Sequence, residues 1–236
     1  MQERGAWTKY AILSFILAEA VLFGMISGAA IADTFFRWAS YGAVILCFLA
    51  AALLLYKFRN REYVYLLTAF LFTLGADFFL VLLDDLYEVS VTVFIGAQVF
   101  HFLRISAGDT RFFLRSLCCR LGFVLVAILL CFIFAPEEYL FFVGSIYAVN
   151  LLWNFIDGVI KTVKCHEHWP LIPGFFLFIL CDLSVAMNGV GGAFGIPQDV
   201  RFTVAGLIWI FYLPSQVLIT LSGNALKKIF RNAGDV

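Results

Sequence analysis

The sequence predicts an all-α integral membrane protein, a single bundle of about eight transmembrane helices. Apolar residues make up 63% of the 236 residues and charged residues only 14%, whereas soluble domains contain roughly 45–50% apolar and about 25% charged residues. A chain this apolar cannot cover a water-exposed surface with polar side chains. Its net charge of zero offers no basic surface for a nucleic-acid partner, and its length fits one domain.

Eight apolar segments are long enough to cross a bilayer, because a helix needs about 20 apolar residues to span the hydrocarbon. The connections between them are short, which favours antiparallel packing of sequential helices. No internal repeat or linker divides residues 1–236, which we expect to form one transmembrane domain. The predicted spans are approximately residues 10–32, 38–56, 63–83, 89–107, 117–135, 139–160, 171–190 and 202–222.

Loop charge predicts the direction of these spans. With the N-terminus in the cytoplasm, almost all basic residues fall on the cytoplasmic side, as the positive-inside rule requires. The opposite side has Arg37 and Arg201 and a series of carboxylates. A missed or additional span would mix the two sets, so the charge difference also supports the count of eight. Both termini are predicted to face the cytoplasm. The cytoplasmic set is Arg4, Lys9, Lys57, Arg59, Arg61, Arg104, Arg111, Arg115, Arg120, Lys161, Lys164, Lys227, Lys228 and Arg231.

The first apolar segment has some features of a signal peptide. Arg4 and Lys9 precede it, and small residues follow it at 30–32. However, the apolar run is about twice the usual length of such a segment, and Glu19 interrupts it. We therefore expect a retained first helix.

Four carboxylates lie inside the predicted spans: Glu19, Asp77, Asp157 and Asp182. An ionisable group within the bilayer costs roughly 3 kcal/mol or more, so it usually faces the bundle interior and has a functional role. A rise of about 1.5 Å per residue places Glu19 and Asp182 near the midplane, Asp77 nearer the outside and Asp157 nearer the cytoplasm. A functional role is favoured for Asp77 and Asp182.

Other polar side chains reach similar depths and can line the same cleft. Asn150, Asn154 and Asp157 follow an i, i+4, i+7 pattern, which places them on one helix face. Tyr212 and Gln216 are likewise one turn apart. The additional polar candidates are Gln98, His101, Asn150, Asn154, Tyr212 and Gln216.

Several of these residues also have a purely structural interpretation. Amide side chains in membrane helices commonly bridge neighbouring helices, which applies to Gln98, Asn150 and Asn154. Asp157 can pair with Lys161 one turn later. Glu19 can hold a neighbouring helix.

Cysteine and histidine spacings predict neither a disulfide framework nor a metal site. Cys118 and Cys119 adjoin a helix start, where palmitate is one alternative to the favoured free thiols. The adjacent residues of 166–168 (His-Glu-His) are interpreted as a solvated loop rather than a metal site. The glycine-rich run 189–195 is expected to be a flexible outer loop, because it does not follow a strand as a phosphate loop would. We expect no metal and no cofactor.

Three segments together resemble the lysoplasmalogenase family, also called YhhN. The first is LGADFFL at 74–80, followed by FIGAQVFH at 94–101, similar to the family's Gly-Asp late in the third helix and the Gly and His of the next. The second is GFFLFILCDL at 174–183, which looks like the apolar run ending in Ser-Asp on the seventh helix. The third is YLPSQVLITLS at 212–222, similar to the Tyr-x-x-Ala-Gln-x-Leu-Ile pattern of the final helix.

This resemblance implies hydrolysis of the vinyl ether bond of a lysoplasmalogen, a lysophospholipid substrate, to a fatty aldehyde and a glycerophospho-headgroup. Asp77 and Asp182 would be the catalytic carboxyls, one acting as the acid and the other staying ionised to stabilise the cation. The chemistry requires no metal, and the implied partners are membrane lipids. The residues expected to orient substrate and water are His101, Tyr212, Gln216, Glu19 and Asn150.

Three other classes of protein are alternatives, of which a transporter would also place carboxylates midway through the membrane. A small-molecule or proton-coupled transporter would often show inverted repeats or broken helices, and Pro214 is the only proline well inside a predicted span. A non-catalytic lipid-binding protein would hold lipid in the cleft without turnover. A zinc-dependent amidase would need several membrane-embedded histidines, of which only His101 qualifies.

Overall fold

In a computed structural model, the described residues are 2–28, 33–134, 138–164, 168–189 and 191–222. They form eight α-helices, each long and apolar enough to cross a membrane. This confirms the predicted all-α fold class and the eight spans. The helices are α1 (Gln2–Gly28), α2 (Asp33–Phe58), α3 (Arg61–Asp77), α4 (Tyr87–Ser106), α5 (Thr110–Phe134), α6 (Tyr139–Lys164), α7 (Leu171–Gly189) and α8 (Gln198–Leu221).

Several helices extend beyond their predicted apolar spans. The clearest case is α5, which begins at Thr110 rather than near Leu117. The Asp109 side chain accepts a hydrogen bond from the Phe112 backbone N–H at 2.9 Å, which caps the first turn. Hydropathy marks only the part of a helix that suits hydrocarbon, so it missed the polar first turns of α5.

A π-helical segment, Phe78–Leu83, directly follows α3. The turn after it uses left-handed backbone at Asp84 (φ 53°) and Leu86 (φ 54°), which non-glycine residues adopt uncommonly. π-helical turns widen the helix and are frequent at functional sites. The predicted third span is therefore helical to its end, but its geometry changes immediately after Asp77.

The chain divides into two compact units. Unit 1 consists of Met1–Cys47 and Cys165–Val236, and unit 2 consists of Phe48–Lys164. The first part of α2 thus belongs to unit 1 and its last part to unit 2. Within unit 2, α3 packs along α4, and α4 and α5 both pack along α6.

The register of α3 against α4 follows from contacts at both ends of this antiparallel pair. Arg104 Nη2 lies 3.5 Å from Glu62 Oε1 at one end. At the other end, the Ser90 hydroxyl donates to the Ala76 carbonyl at 2.9 Å. Between them, Gly96 faces the Phe72 ring so closely that a methyl group there would lie 2.4 Å from a ring carbon.

Gly96→Ala should therefore destabilise the protein by about 1–3 kcal/mol, the usual range for overpacking. The measurement is unfolding of the purified protein in detergent. Gly144→Ala is the matched control on α6, because a methyl group there would meet nothing within 4 Å. The control should be neutral or stabilising by up to about 1 kcal/mol. Equal stability of the two variants would contradict this close approach of α3 and α4.

Unit 1 is organised around α8, against which α7 and α1 pack. The hairpin of α7 and α8 is tight, since a methyl group at Gly174 would lie 2.9 Å from Ile219 Cγ1. Pro214 lies inside α8, where it removes one backbone donor from the helix. The predicted flexible loop at 189–195 contains a 3₁₀ turn, Gly191–Phe194, which the Ile196 N–H closes by donating to the Gly191 carbonyl at 2.9 Å.

Helix α5 has very little buried surface. Its buried residues are Ser116 and Arg120, while Phe132, Ile133 and Phe134 are more than half exposed. In a bilayer this apolar surface is compatible with lipid tails, and no hydrophobic force drives it against other helices. The polar contacts of Ser116 and Arg120 therefore contribute to the attachment of α5 to the rest of unit 2, together with its packing along α6.

Candidate functional site

Arg120 lies at the centre of a buried polar cluster in unit 2. Its Nη2 lies 2.7 Å from Asp157 Oδ2 and donates to Asn154 Oδ1 at 2.8 Å. Its Nη1 donates to the Asn150 backbone and side-chain oxygens at 3.2 and 3.3 Å. Its Nε donates to Ser116 Oγ at 3.3 Å, and Ser116 in turn donates to Asp157.

The cluster also reaches α4. The Asn154 amide donates to the Gln98 side-chain oxygen at 2.8 Å and to its backbone carbonyl at 2.9 Å. The Arg120 guanidinium lies 4.2 Å from the centroid of the Phe102 ring, a cation–π distance. These contacts join α4, α5 and α6. They also give the buried charges the hydrogen-bonded partners that such charges require.

This geometry supports the structural interpretation of the polar residues on α6. Asp157 pairs with Arg120 rather than with Lys161. Asn150 also donates its amide to the Ile146 carbonyl at 2.8 Å, so both ends of its side chain are engaged. Asn150 therefore holds Arg120 in place, and its expected role of orienting substrate stays a prediction.

A second buried charge pair connects α3 and α4 at the end that loop charge predicts to be cytoplasmic. Arg104 and Glu62 are 3% and 7% exposed and lie 3.5 Å apart. His101 lies on α4, just under one turn from Arg104, and is also buried. The fully buried Tyr63 follows Glu62 on α3, and its hydroxyl contacts no hydrogen-bond partner among the described residues.

Asp77 lies at the opposite end of the same helix pair. It is 2% exposed and is the last residue of α3 before the π-helical segment. The register pairs this end of α3 with Ser90, whereas His101 is located near the Glu62 end. Eleven residues of α4 separate Ser90 from His101, or about 16 Å along the axis. His101 therefore does not contact Asp77 directly.

Glu19 forms part of a small polar cluster in unit 1. It is 4% exposed, and its Oε1 accepts a hydrogen bond from the Cys47 thiol at 3.5 Å, which joins α1 to α2. Cys47 also interacts with Thr220 on α8. One turn earlier on α8, Gln216 is buried. Glu19 Oε2 and Gln216 Oε1 have no hydrogen-bond partner within the described part of the chain.

Asp182 and Tyr212 lie close together in depth along the hairpin of α7 and α8. The rings of Phe178 and Tyr212 pack with centroids 5.8 Å apart. Asp182 follows Phe178 by one turn, on the same face of α7, so it is about 6 Å along the axis from the level of Tyr212. Gln216 continues the same face of α8 one turn beyond Tyr212.

Asp77 and Asp182 occupy similar positions in their own helices. Asp77 is followed by the π-helical segment that ends at Leu83, and Asp182 is followed by the last turns of α7, which ends at Gly189. Each carboxyl thus lies within about two turns of the helix end that is predicted to face away from the cytoplasm. Each also lies in one of the segments that resemble a known family.

Comparison with protein families decides the identity of the chain. A model of the YhhN family matches residues 36–223, from the early part of α2 through the end of α8. The chain belongs to the YhhN family. No curated protein and no solved structure matches it significantly.

The YhhN match contains most of the predicted site. Asp77, His101, Asp182, Tyr212 and Gln216 all lie inside the matched range. Glu19 lies before it, on α1. The matched range thus includes the motifs of α3, α4, α7 and α8. The expected role of Glu19 in orienting substrate rests only on its buried position in this YhhN protein.

Two arginines of the predicted cytoplasmic set are buried within helices of this YhhN protein. Arg104 and Arg120 are each 3% exposed. Glu62 was likewise not counted among the membrane carboxylates. The burial of Arg120 could have been predicted from Asn150, Asn154 and Asp157. Their i, i+4, i+7 row on α6 indicates a buried polar partner on another helix.

Some sequence-based expectations concern residues outside the described ranges. The 166–168 triplet is one, since only its last residue, His168, is described. The C-terminal basic residues beyond 222 are another. The cytoplasmic location of both termini therefore stays a prediction from loop charge.

Proposed function

We propose that this YhhN protein is a membrane-embedded hydrolase that cleaves the vinyl ether bond of a lysoplasmalogen. It would act as a multi-pass protein of the cytoplasmic membrane on lipids drawn from the bilayer. The observation that carries the proposal is Asp77, a carboxyl 2% exposed at the α-to-π junction, in a family associated with hydrolase activity. Such a carboxyl is costly to retain in a membrane without a function.

The reaction needs a proton donor and a group that stabilises positive charge. Protonation of the vinyl carbon distant from the ether oxygen gives an oxocarbenium ion. Water adds to this ion and loses a proton, and the resulting hemiacetal collapses to a fatty aldehyde and the glycerol hydroxyl of the headgroup fragment. Two carboxyls with different environments suit this sequence, as they do in glycoside hydrolysis. We assign these two roles to Asp77 and Asp182.

The neighbouring residues are assigned by their positions. Tyr212 lies near the depth of Asp182 along α8 and carries a hydroxyl that can orient water or substrate. The Gln216 amide, one turn further, donates to Ser215 Oγ at 3.3 Å and keeps its oxygen for a donor from the substrate or water. Glu19 lies beside the same part of α8. His101 lies about 16 Å along α4 from the Asp77 end of the helix pair. It can therefore contact only a part of the lipid that is far from the vinyl ether.

The test is aldehyde release from a purified, detergent-solubilised sample. Lysoplasmenyl-ethanolamine should yield aldehyde at a turnover of about 1 s⁻¹ or more, detected by a coupled alcohol dehydrogenase through NADH oxidation. The matched control is the saturated 1-O-alkyl analogue, which has no vinyl carbon to protonate and should release none. Folded protein that binds the lipid but releases no aldehyde would contradict the proposal and favour a lipid-binding protein or a transporter.

A further inference from the structure

A small pocket lies at the end of the α7–α8 hairpin that is predicted to face away from the cytoplasm. Its volume is about 140 Å³, and Asn188, Gln198, Arg201 and Phe202 line it. All four residues belong to unit 1. Arg201 is one of the two basic residues that loop charge places on this side, among a larger number of carboxylates.

The Arg201 side chain is held in a fixed orientation from one side. Its Nε and Nη2 both donate to the Asn188 carbonyl, at 3.0 and 2.7 Å, and this carbonyl lies at the end of α7. The turn after α7 passes close to the other nitrogen, since a methyl group at Gly192 would lie 2.9 Å from Arg201 Nη1. The glycine-rich turn therefore provides space for this guanidinium.

A ligand in this pocket would use the remaining donors of Arg201. Across the described ranges, no acceptor is bonded to Nη1, and no carboxylate pairs with the guanidinium. Gln198 adds an exposed amide and Phe202 an exposed apolar ring to the same pocket. The planar guanidinium of Arg201 and the neighbouring Gln198 amide can both donate hydrogen bonds to the oxygen atoms of one phosphate or carboxylate.

The depth of the pocket relative to Asp182 indicates which anion is expected. Asn188 lies six residues beyond Asp182 on α7, or about 9 Å along the axis. In a lysoplasmalogen, roughly seven covalent bonds separate the vinyl carbon that is protonated from the phosphorus, which is about 8 Å in an extended chain. With phosphate at Arg201, the vinyl ether would thus reach the depth of Asp182.

The aromatic side chains deeper in the hairpin suit the remainder of such a lipid. Arg201 and Tyr212 lie on the same face of α8, about three turns apart. The Trp209 and Tyr212 rings pack with centroids 5.6 Å apart, and Phe178 contacts Tyr212 from α7. A lipid bound at Arg201 would therefore place its hydrocarbon along an apolar aromatic surface.

We infer that the Arg201 pocket binds the phosphodiester of the lysophospholipid substrate and sets the position of the vinyl ether. This inference rests on the proposed function for the identity of the lipid, but binding can be measured without turnover. The probe is a labelled 1-O-alkyl-glycero-3-phosphoethanolamine, which has the phosphate and no vinyl bond. Its phosphate-free counterpart, a 1-O-alkylglycerol, reports the apolar contribution alone.

The parent protein should bind the phosphate-containing probe about 10–100-fold more tightly than the phosphate-free probe. Arg201→Gln should remove most of this difference while binding of 1-O-alkylglycerol changes little, and Arg201→Lys should retain part of it. Arg61→Gln, which removes an exposed charge in the first turn of α3, is the matched control and should bind both probes like the parent. Thermal unfolding of each variant checks that the fold is retained.

Three outcomes distinguish the possibilities. Equal binding of the phosphate-containing probe by the parent and Arg201→Gln would overturn the headgroup pocket, whatever the hydrolysis assay shows. Inorganic phosphate that displaces the probe at the probe's own Kd would make the pocket a site for free phosphate, which also overturns the lipid assignment. Loss of binding in Arg201→Gln, with no aldehyde formed by the parent, would support the pocket and reject the proposed hydrolysis.

Discussion

Asp77→Asn and Asp182→Asn should each lower kcat for vinyl ether hydrolysis by about 10²–10⁴-fold, the usual contribution of a positioned acid or base. Asparagine has nearly the same shape as aspartate but neither donates an acidic proton nor carries the negative charge that stabilises an oxocarbenium ion. The KM for the lipid should change by less than about threefold, because the altered groups act on the reacting atoms in the transition state. The measurement is steady-state aldehyde release.

Each variant has a matched control near the same predicted membrane face. Asp84→Asn changes an exposed carboxyl at a left-handed position, which asparagine also adopts readily, and Asp199→Asn changes an exposed carboxyl in the first turn of α8. Both controls should retain the parent activity. If Asp77→Asn unfolds, Asp77→Glu restores a carboxyl for the same assay. Folded Asp77→Asn and Asp182→Asn that both turn over at the parent rate would remove these carboxyls from the mechanism.

Asp157→Leu should destabilise the protein by about 3–5 kcal/mol, because it leaves the buried Arg120 without its charge partner. The double variant Arg120→Met/Asp157→Leu should be more stable than Asp157→Leu alone, since removing both charges also removes their desolvation penalty. The measurement is unfolding in detergent, with the coupling free energy taken from the full cycle of single and double variants.

Lys161→Ala is the control for this second prediction. Lys161 was the alternative partner of Asp157 in the sequence, one turn away on α6, but the ion pair is formed with Arg120. Its replacement should change stability by less than about 0.5 kcal/mol, as is usual for a partly exposed charge. A larger effect of Lys161→Ala than of Asp157→Leu would show that the local pair, rather than the interhelical one, holds α6.

The spans could be predicted from the sequence because hydropathy is a local property, and one apolar stretch of about 20 residues is enough to specify a membrane helix. Hydropathy places Arg104 and Arg120 inside the predicted spans 89–107 and 117–135, but it does not show that their side chains are buried and paired. What keeps Arg120 inside the bundle is Asp157, 37 residues away in sequence. Pairing over such a distance depends on helix packing, which one sequence does not show.

The candidate site was partly predictable for a related reason. Asp77 and Asp182 were recognisable as carboxyls in apolar runs, and the one-turn spacing of Tyr212 and Gln216 was visible directly. The interhelical register was not, so the separation of His101 from the Asp77 end of α3 could not be foreseen. The π-helical segment after Asp77 was also missed, because its residues, FFLVLL, have the same apolar composition as an ordinary helix.

The polar attachment of α5 has a consequence for the order in which the protein assembles. Arg120 is synthesised before all three of its partners on α6, Asn150, Asn154 and Asp157. During biosynthesis α5 therefore reaches the membrane with an uncompensated cation, and few of its apolar residues have a packing surface waiting for them. The ion pair between Arg120 and Asp157 can therefore form only after α6 has been synthesised, so that α5 reaches its final place in unit 2 later than its own insertion.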